Sequence, residues 1–177
     1  MDLDRCLVEK RSCKSYLQKQ VPIELIGEVI KAATYAPSAG NLQNWSFIVV
    51  RDQGKRNEIA AACQRQEWMR GAPVHIVICN DVKKVTDMFT RKGKLYATQA
   101  CAIAGQNMML KATDVNLYSC WVGSFDEFAL ARIVKIPDNM VPEMIITLGY
   151  SDQVEQGIER NPMEKIAYFE EYGKSSE

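Results

Sequence analysis

The sequence predicts a domain in which helices and strands alternate. Four short β-branched or apolar runs carry the first half of that prediction: Ser46 to Val50, Val74 to Cys79, Tyr118 to Val122 and Met144 to Leu148, most of them bounded by turn-forming or charged residues. Segments with apolar residues at helical spacing lie between and before them and carry the other half. With 177 residues, the chain suffices for one domain over 1–177 with a substantial core, and a second domain would be cramped.

Val21-Pro22 opens the first definite helix, because proline suits a first helical turn and Leu25, Ile26, Val29, Ile30 and Ala33 share one face. Glu24 and Glu28 sit near its positive end. Pro37 disfavours helical geometry in the residue before it, so the helix ends at about Ala36. The first strand follows at Ser46, then a helix over roughly Lys55 to Gln64. Gly71-Ala72-Pro73 introduces the second strand, which ends at Asn80-Asp81. From Asp81 to Lys94 the pattern is charged and weak, and predicts a short helix or a connection. Tyr96 to Thr113 is rich in Ala, Met and Leu on nearly all sides, which makes it a central helix or one shared between subunits. A third strand, a helix from Asp126 to about Val134, and the fourth strand complete the pattern. In the tail, Met163, Ile166, Ala167 and Phe169 suggest a short amphipathic helix.

Composition excludes several classes of function. The 22 basic and 22 acidic residues balance, so no overall field favours nucleic acid, and the one basic run, Arg91-Lys92-Gly93-Lys94, reads as a solvated loop. Six cysteines stand apart without a C-x-x-C pair, as reduced cytosolic thiols do. The first residues lack the layout of a signal peptide, so a cytoplasmic protein is expected. His75 is the only histidine and lies inside an apolar strand, which makes it a core residue and removes multi-histidine metal sites and Ser-His-Asp triads; no metal is expected. Neither a P-loop nor a G-x-G-x-x-G turn is present. Few side chains remain for acid–base work, and a borrowed cofactor is then the economical route to catalysis.

The chemistry concentrates between Ala36 and Trp45. Pro37, Ser38, Ala39 and Gly40 permit close approach to the backbone, and Asn41, Gln43 and Asn44 offer donors and acceptors suited to a heterocycle with alternating N–H and C=O groups. Composition alone equally allows an ordinary helix-to-strand connection. Near the start, Lys10, Arg11 and Lys14 with Ser12 suit a phosphate and a polar chain, or else form a solvated basic helix end.

PSAGNLQNW at 37–45 resembles the PSxxNxQPW loop of the FMN-dependent nitroreductase family. Lys10 to Lys14 is similar to that family's RRSxR start, Cys120-Trp121-Val122-Gly123-Ser124-Phe125 to its cWxGxF segment, Ile136-Pro137 and Ile145 to Tyr150 to its IP and iaLGYp elements, and Arg160-Asn161-Pro162 to its R-x-P. Order and spacing hold from about Val8 to Pro162. The resemblance implies an α+β three-layer sandwich, a mainly antiparallel sheet flanked by helices, with FMN at a homodimer interface and no obligatory catalytic side chain. It places Lys10, Arg11, Ser12, Lys14 and Arg160 on the phosphate and ribityl chain, and Pro37, Ser38, Ala39, Asn41 and Gln43 around the flavin. The backbone of Val122, Gly123 and Ser124 would lie against the ring, near the hydride-accepting N5. NAD(P)H would be the reducing co-substrate in ping-pong kinetics, and a nitroaromatic, quinone or other conjugated electrophile the acceptor. A flavin-binding carrier or sensor, and a helical interaction module, are the alternative readings. Two departures stand out: Asn44 replaces the usual proline and adds a polar group expected near the ring, and Asn116 stands where the family has a glycine turn, which asparagine tolerates.

Overall fold

Strand β2 (Val74–Asn80) is buried along its whole length, and the sheet is built outward from it. The computed structural model describes residues 1–64, 66–153 and 156–174. β1 (Trp45–Val50), β2, β3 (Tyr118–Val122) and β4 (Val141–Gly149) form one sheet in the order β1-β2-β4-β3, and every neighbouring pair is antiparallel.

The two-residue period of the strands sorts their side chains between two cores. Val74, Ile76 and Ile78 of β2 and Met144, Ile146 and Leu148 of β4 face helices α2 (Ile23–Ala33) and α5 (Gly93–Asp114). Val77 and Cys79, with Ile145 and Val122, face α3 (Gln53–Ala62) and α6 (Glu127–Val134). This is the three-layer antiparallel α+β sandwich that the family resemblance implies. Each fully buried Ile or Leu contributes about 1.5–3 kcal/mol of transfer free energy, so the two faces of β2 and β4 dominate stability.

Local signals explain most boundaries. Asp52 and Asp126 cap α3 and α6 by accepting from Lys55 N and Ala129 N at 2.9 Å each. Asn116 closes the turn after α5 with φ 59, the left-handed geometry expected of it. Lys135 ends α6 in the same way at φ 55.

Several boundaries differ from the pattern. The N-terminal residues form α1 (Leu3–Glu9), which buries only Cys6 and so leaves no apolar stripe to read. β4 starts at Val141, not Met144: Pro142 is accommodated opposite Cys79 where the register shifts between Ile78 and Cys79. The charged stretch after β2 becomes α4 (Val82–Phe89) and a 3-10 turn, Thr90–Lys92, leading directly into α5; the basic run is therefore helical and not a loop. In the tail, only the 3-10 turn Met163–Lys165 forms, and Met163, Ile166 and Phe169 stay exposed, so the expected amphipathic helix is absent among the described residues. α5 is central: Ala104 and Met108 are fully buried in their own protomer, while Leu95 and Ile103 face outward.

His75 is completely buried with Nε2 2.9 Å from the Met69 carbonyl oxygen. Burial, reinforced by Arg56 and opposed by that hydrogen bond, holds its pKa down to about 4. The unfolded chain therefore takes up a proton near pH 6.5 that the folded protein refuses. Stability contributed by the neutral ring is full above pH 6.5 and declines as pH falls toward 4, by on the order of 3 kcal/mol. Urea unfolding between pH 7 and 4 tests this: His75→Gln should flatten the slope over that window, and an unchanged slope would contradict it.

Candidate functional site

The two polar clusters occupy opposite edges of the sheet. At the β3 edge the chain leaves α1 and runs beside the strand. Ser12 pairs in parallel with Ser119, Cys13 N donates to Ser119 O at 3.0 Å, and Leu17 N donates to Tyr150 O at 2.8 Å. Tyr16 OH and Thr147 Oγ1, 2.7 Å apart, fasten the segment further. Extended backbone alternates its side chains, so Cys13 is buried while Ser12 and Lys14 point outward.

The segment 156–160 returns across this edge and encloses a cavity of about 400 Å³ lined by Lys10, Arg11, Ser12, Gly157 and Arg160 among others. No carboxylate is among its described lining residues. Burial above all holds the Lys10 ammonium below its ordinary range; Cys120 acts in the opposite sense, and the Arg160 guanidinium adds to the depression. Lys10 Nζ reaches Ser12 Oγ at 3.5 Å. Arg11 bends back to donate from Nη1 to the carbonyls of Val8 and Lys10, capping α1, and its buried Nε has no partner among the described residues. A Cβ at Gly157 would lie 2.9 Å from Arg11 Nη2, so the tail crosses the guanidinium at a point where it has no side chain. Cations gathered without counter-charge, beside a hydroxyl and an orphan N–H, are suited to a phosphate. These features fit the phosphorylated end of a flavin nucleotide.

At the β1 edge the loop after α2 folds on itself. Ser38 Oγ accepts from Gln43 N at 2.9 Å, and Gln43 Nε2 lies 3.3 Å from both Asn41 O and Asn41 Oδ1. Gly40, Asn41 and Gln43 have φ of 57, 53 and 47, and left-handed geometry in two non-glycine residues so close together is strain of the kind held at binding loops. Pro37, Ser38 and Ala39 wall a shallow depression of about 220 Å³ over Tyr96, Gln99, Ala100 and Ile103 of α5. At the end of β3, the Val122 side chain is buried, leaving its backbone and the exposed Gly123 and Ser124 for contact.

In one protomer these groups do not all meet. The edges are separated by three strand spacings, about 14 Å. Along α5, the amide loop lies by Ala100 and Arg11 by Thr113, which is about 20 Å of helix.

Asn44 departs from its expected place near the ring. It is 2 % exposed, and Nδ2 donates to Asn80 Oδ1 at 2.6 Å and to Ala97 O at 3.1 Å, while its backbone carbonyl accepts from Asp81 N at 2.8 Å. Asn80 continues the chain to Glu143 Oε2 at 3.1 Å. Asn44 thus ties the amide loop to β2 and α5 from beneath. Sequence reasoning also missed Gln156, Gly157 and Tyr16, since nothing local marks a residue whose partner is over a hundred positions away.

Burial pushes the thiols of Cys63 and Cys101 up to about 12 and Cys79 to about 11, so they are inert at neutral pH. Among the described residues no group of His, Cys, Asp and Glu could hold a metal ion, and no helix is long and apolar enough to cross a membrane.

The protein is thus a three-layer α+β sandwich with a cation cluster at one edge of its sheet and an amide-rich loop at the other. The Nitroreductase family model matches residues 7–66 and 56–150. A protein of Archaeoglobus fulgidus, provisionally named NADH dehydrogenase/NAD(P)H nitroreductase, is 33 % identical over 158 residues, covering 84 % of this chain and 86 % of its own. One of Methanothermobacter thermautotrophicus with the same name is 31 % identical, covering 85 % and 78 %. The solved FMN-dependent nitroreductase of Clostridium difficile superposes with a TM-score of 0.82 at 27 % identity, over 94 % of this chain and 98 % of that one. The chain belongs to the nitroreductase family, whose members are FMN-dependent NAD(P)H oxidoreductases.

The buried position of Asn44 has a measurable consequence. Asn44→Ala should lower unfolding free energy by about 1–3 kcal/mol, because Asn80 Oδ1 and Ala97 O lose a buried donor. Denaturant titration checks it; a change below about 0.5 kcal/mol would return Asn44 to the surface.

Proposed function

We propose that this protein is a cytoplasmic, homodimeric FMN-dependent oxidoreductase, one domain over 1–177, that takes reducing equivalents from NAD(P)H and delivers them to a nitroaromatic, quinone or other conjugated acceptor. The carrying observation is the carboxylate-free convergence of Lys10, Arg11 and Arg160 around one cavity. FMN, when bound, would supply the hydride chemistry that links the reduced nicotinamide to the acceptor, in ping-pong order.

The chain's own residues bind and orient. Lys10 and Arg160 neutralise the phosphate, which relieves the repulsion between them, and Ser12 and the outward Lys14 meet the ribityl chain and the ring's polar edge. Lysine at these positions gives a point charge where arginine would give a fork. Pro37, Ser38, Ala39, Asn41 and Gln43 come from the second copy, because in their own protomer they lie at the far edge of the sheet. Their amides match the ring's alternating donors and acceptors, and the left-handed turn presents them without further rearrangement. The backbone of Val122, Gly123 and Ser124 approaches the ring where no side chain intervenes. The buried thiols of Cys63, Cys79 and Cys101 and the neutral, buried His75 are assigned no acid–base role; the chemistry is assigned to the cofactor.

A yellow preparation whose flavin band bleaches under NADH or NADPH and recovers with menadione or a nitroaromatic is the expected result; a flavin that stays oxidised under both nicotinamides would leave only a carrier. Arg160→Ala should weaken FMN binding about ten- to a hundredfold, the worth of one charge-assisted hydrogen bond. Turnover should return at saturating FMN, and riboflavin, which lacks the phosphate, should bind mutant and parent alike. Equal loss of riboflavin and FMN would make Arg160 structural.

A further inference from the structure

The basic run Arg91-Lys92-Gly93-Lys94 is used neither by the core nor by the flavin cradle. All three cations are exposed, and among the described residues none forms an ion pair, whereas Lys83 in the preceding helix is tied to Asp87 at 2.6 Å. Residues 81–94 carry Lys83, Lys84, Arg91, Lys92 and Lys94 against Asp81 and Asp87, so five minus two leaves three positive charges in a chain of net charge zero.

This corner is held in a defined place. Thr90 adopts φ 40 and ψ −110, unfavourable for a β-branched residue. A Cβ at Gly93 would fall 2.5 Å from the Thr86 Cα, so only glycine lets the first turn of α5 lie against α4. Phe89 joins the corner to the amide loop: its ring is 3.4 Å from the Cβ position at Gly40 and edge-to-face with Tyr96 at 5.5 Å. Tyr96 in turn lines the depression beside Pro37, Ser38 and Ala39. The cations therefore stand on the rim of the loop proposed to hold the ring, outside the depression itself.

We propose that Arg91, Lys92 and Lys94 dock the phosphate groups of the reduced nicotinamide dinucleotide while its nicotinamide reaches the flavin ring. The inference rests on the flavin-dependent reading above. Conjugated acceptors share no charge. Every nicotinamide dinucleotide carries a pyrophosphate, and NADPH a further 2′-phosphate, at the end remote from the ring, where a rim position meets it. Ammonium and guanidinium groups suit such contacts, and their exposure makes the attraction sensitive to salt.

The test uses the FMN-loaded protein and its Arg91→Gln/Lys92→Gln/Lys94→Gln variant. KM for the dinucleotide should rise about tenfold or more with kcat nearly constant, and the dissociation constant of NADP⁺ in equilibrium dialysis should rise in step. A rise for NADPH alone assigns the cluster to the 2′-phosphate; a rise for NADH as well assigns it to the pyrophosphate. N-benzyl-1,4-dihydronicotinamide, a donor without phosphate, should be oxidised equally by both proteins. Unchanged KM and unchanged NADP⁺ affinity overturn the proposal. So does an equal loss with the benzyl donor, which would mark a structural role, or a shift confined to an anionic acceptor such as 4-nitrobenzoate. If the parent oxidises no dihydronicotinamide yet binds NADP⁺ through these cations, the phosphate site stands and the oxidoreductase reading falls.

Discussion

The seating of α5 on the sheet is the constraint from which the rest follows. At Gly105 the helix comes so close that a Cβ would lie 2.9 Å from Met144 Sδ and 3.3 Å from the Trp121 ring. A larger residue there would require the Met144 and Trp121 side chains to shift. Once seated, the helix fixes three things at measured intervals along its length: the basic corner at Gly93, the amide loop over Tyr96 to Ile103, and the Arg11 segment by Thr113. A straight helix of 22 residues is a stiff ruler, about 33 Å long, and it holds these groups apart as firmly as it holds them in place.

That separation gives the site its divided character. Gathering Lys10 and Arg160 about one cavity is unfavourable by itself, since two cations repel and one of them is part-desolvated. The arrangement persists because the backbone around it is secured independently, by the ladder contacts of Ser12 and Cys13 with Ser119 and by the Tyr16–Thr147 hydrogen bond. A phosphate bound there would convert the repulsion into attraction. The amide loop follows the same logic: its left-handed residues are strained, and Asn44 anchors the strand entrance below them to Asn80 and Ala97.

How much of this could be read from the sequence depended on whether a residue's partner lay nearby. The continuous apolar run of β2, the proline opening α2 and the aspartate before α6 are local devices, and their elements were legible to within about three residues, the largest miss being α2, which ends at Ala33 and not at Ala36. Asn116 was legible because only its own backbone conformation is at stake. α1 was not, since a helix that buries a single cysteine has no periodic stripe. The first residues of β4 were hidden by Pro142, which a bulge absorbs. The tail reads as amphipathic, yet Met163, Ile166 and Phe169 stay exposed. For the site, residue types and order were visible in the motifs, while the convergence of Arg160 on Lys10 needed the tail to be folded back.

Asn44 shows why a motif can locate a site and still misassign a residue within it. Its neighbours in sequence, Asn41 and Gln43, are exposed, so an amide one position later reads as a further contact. The strand begins immediately after it, however, and Asn44, entering β1 beside β2, has its side chain directed into the layer between sheet and helix. There an amide must find partners or be excluded. It finds Asn80 and the Ala97 carbonyl, and Asn80 finds Glu143, so one polar residue at the strand entrance requires a relay of polar partners across β2 to β4. A proline at this position would donate no such bond and would leave Asn80 to be satisfied otherwise. The departure from the family pattern is therefore a change in how the loop is fastened.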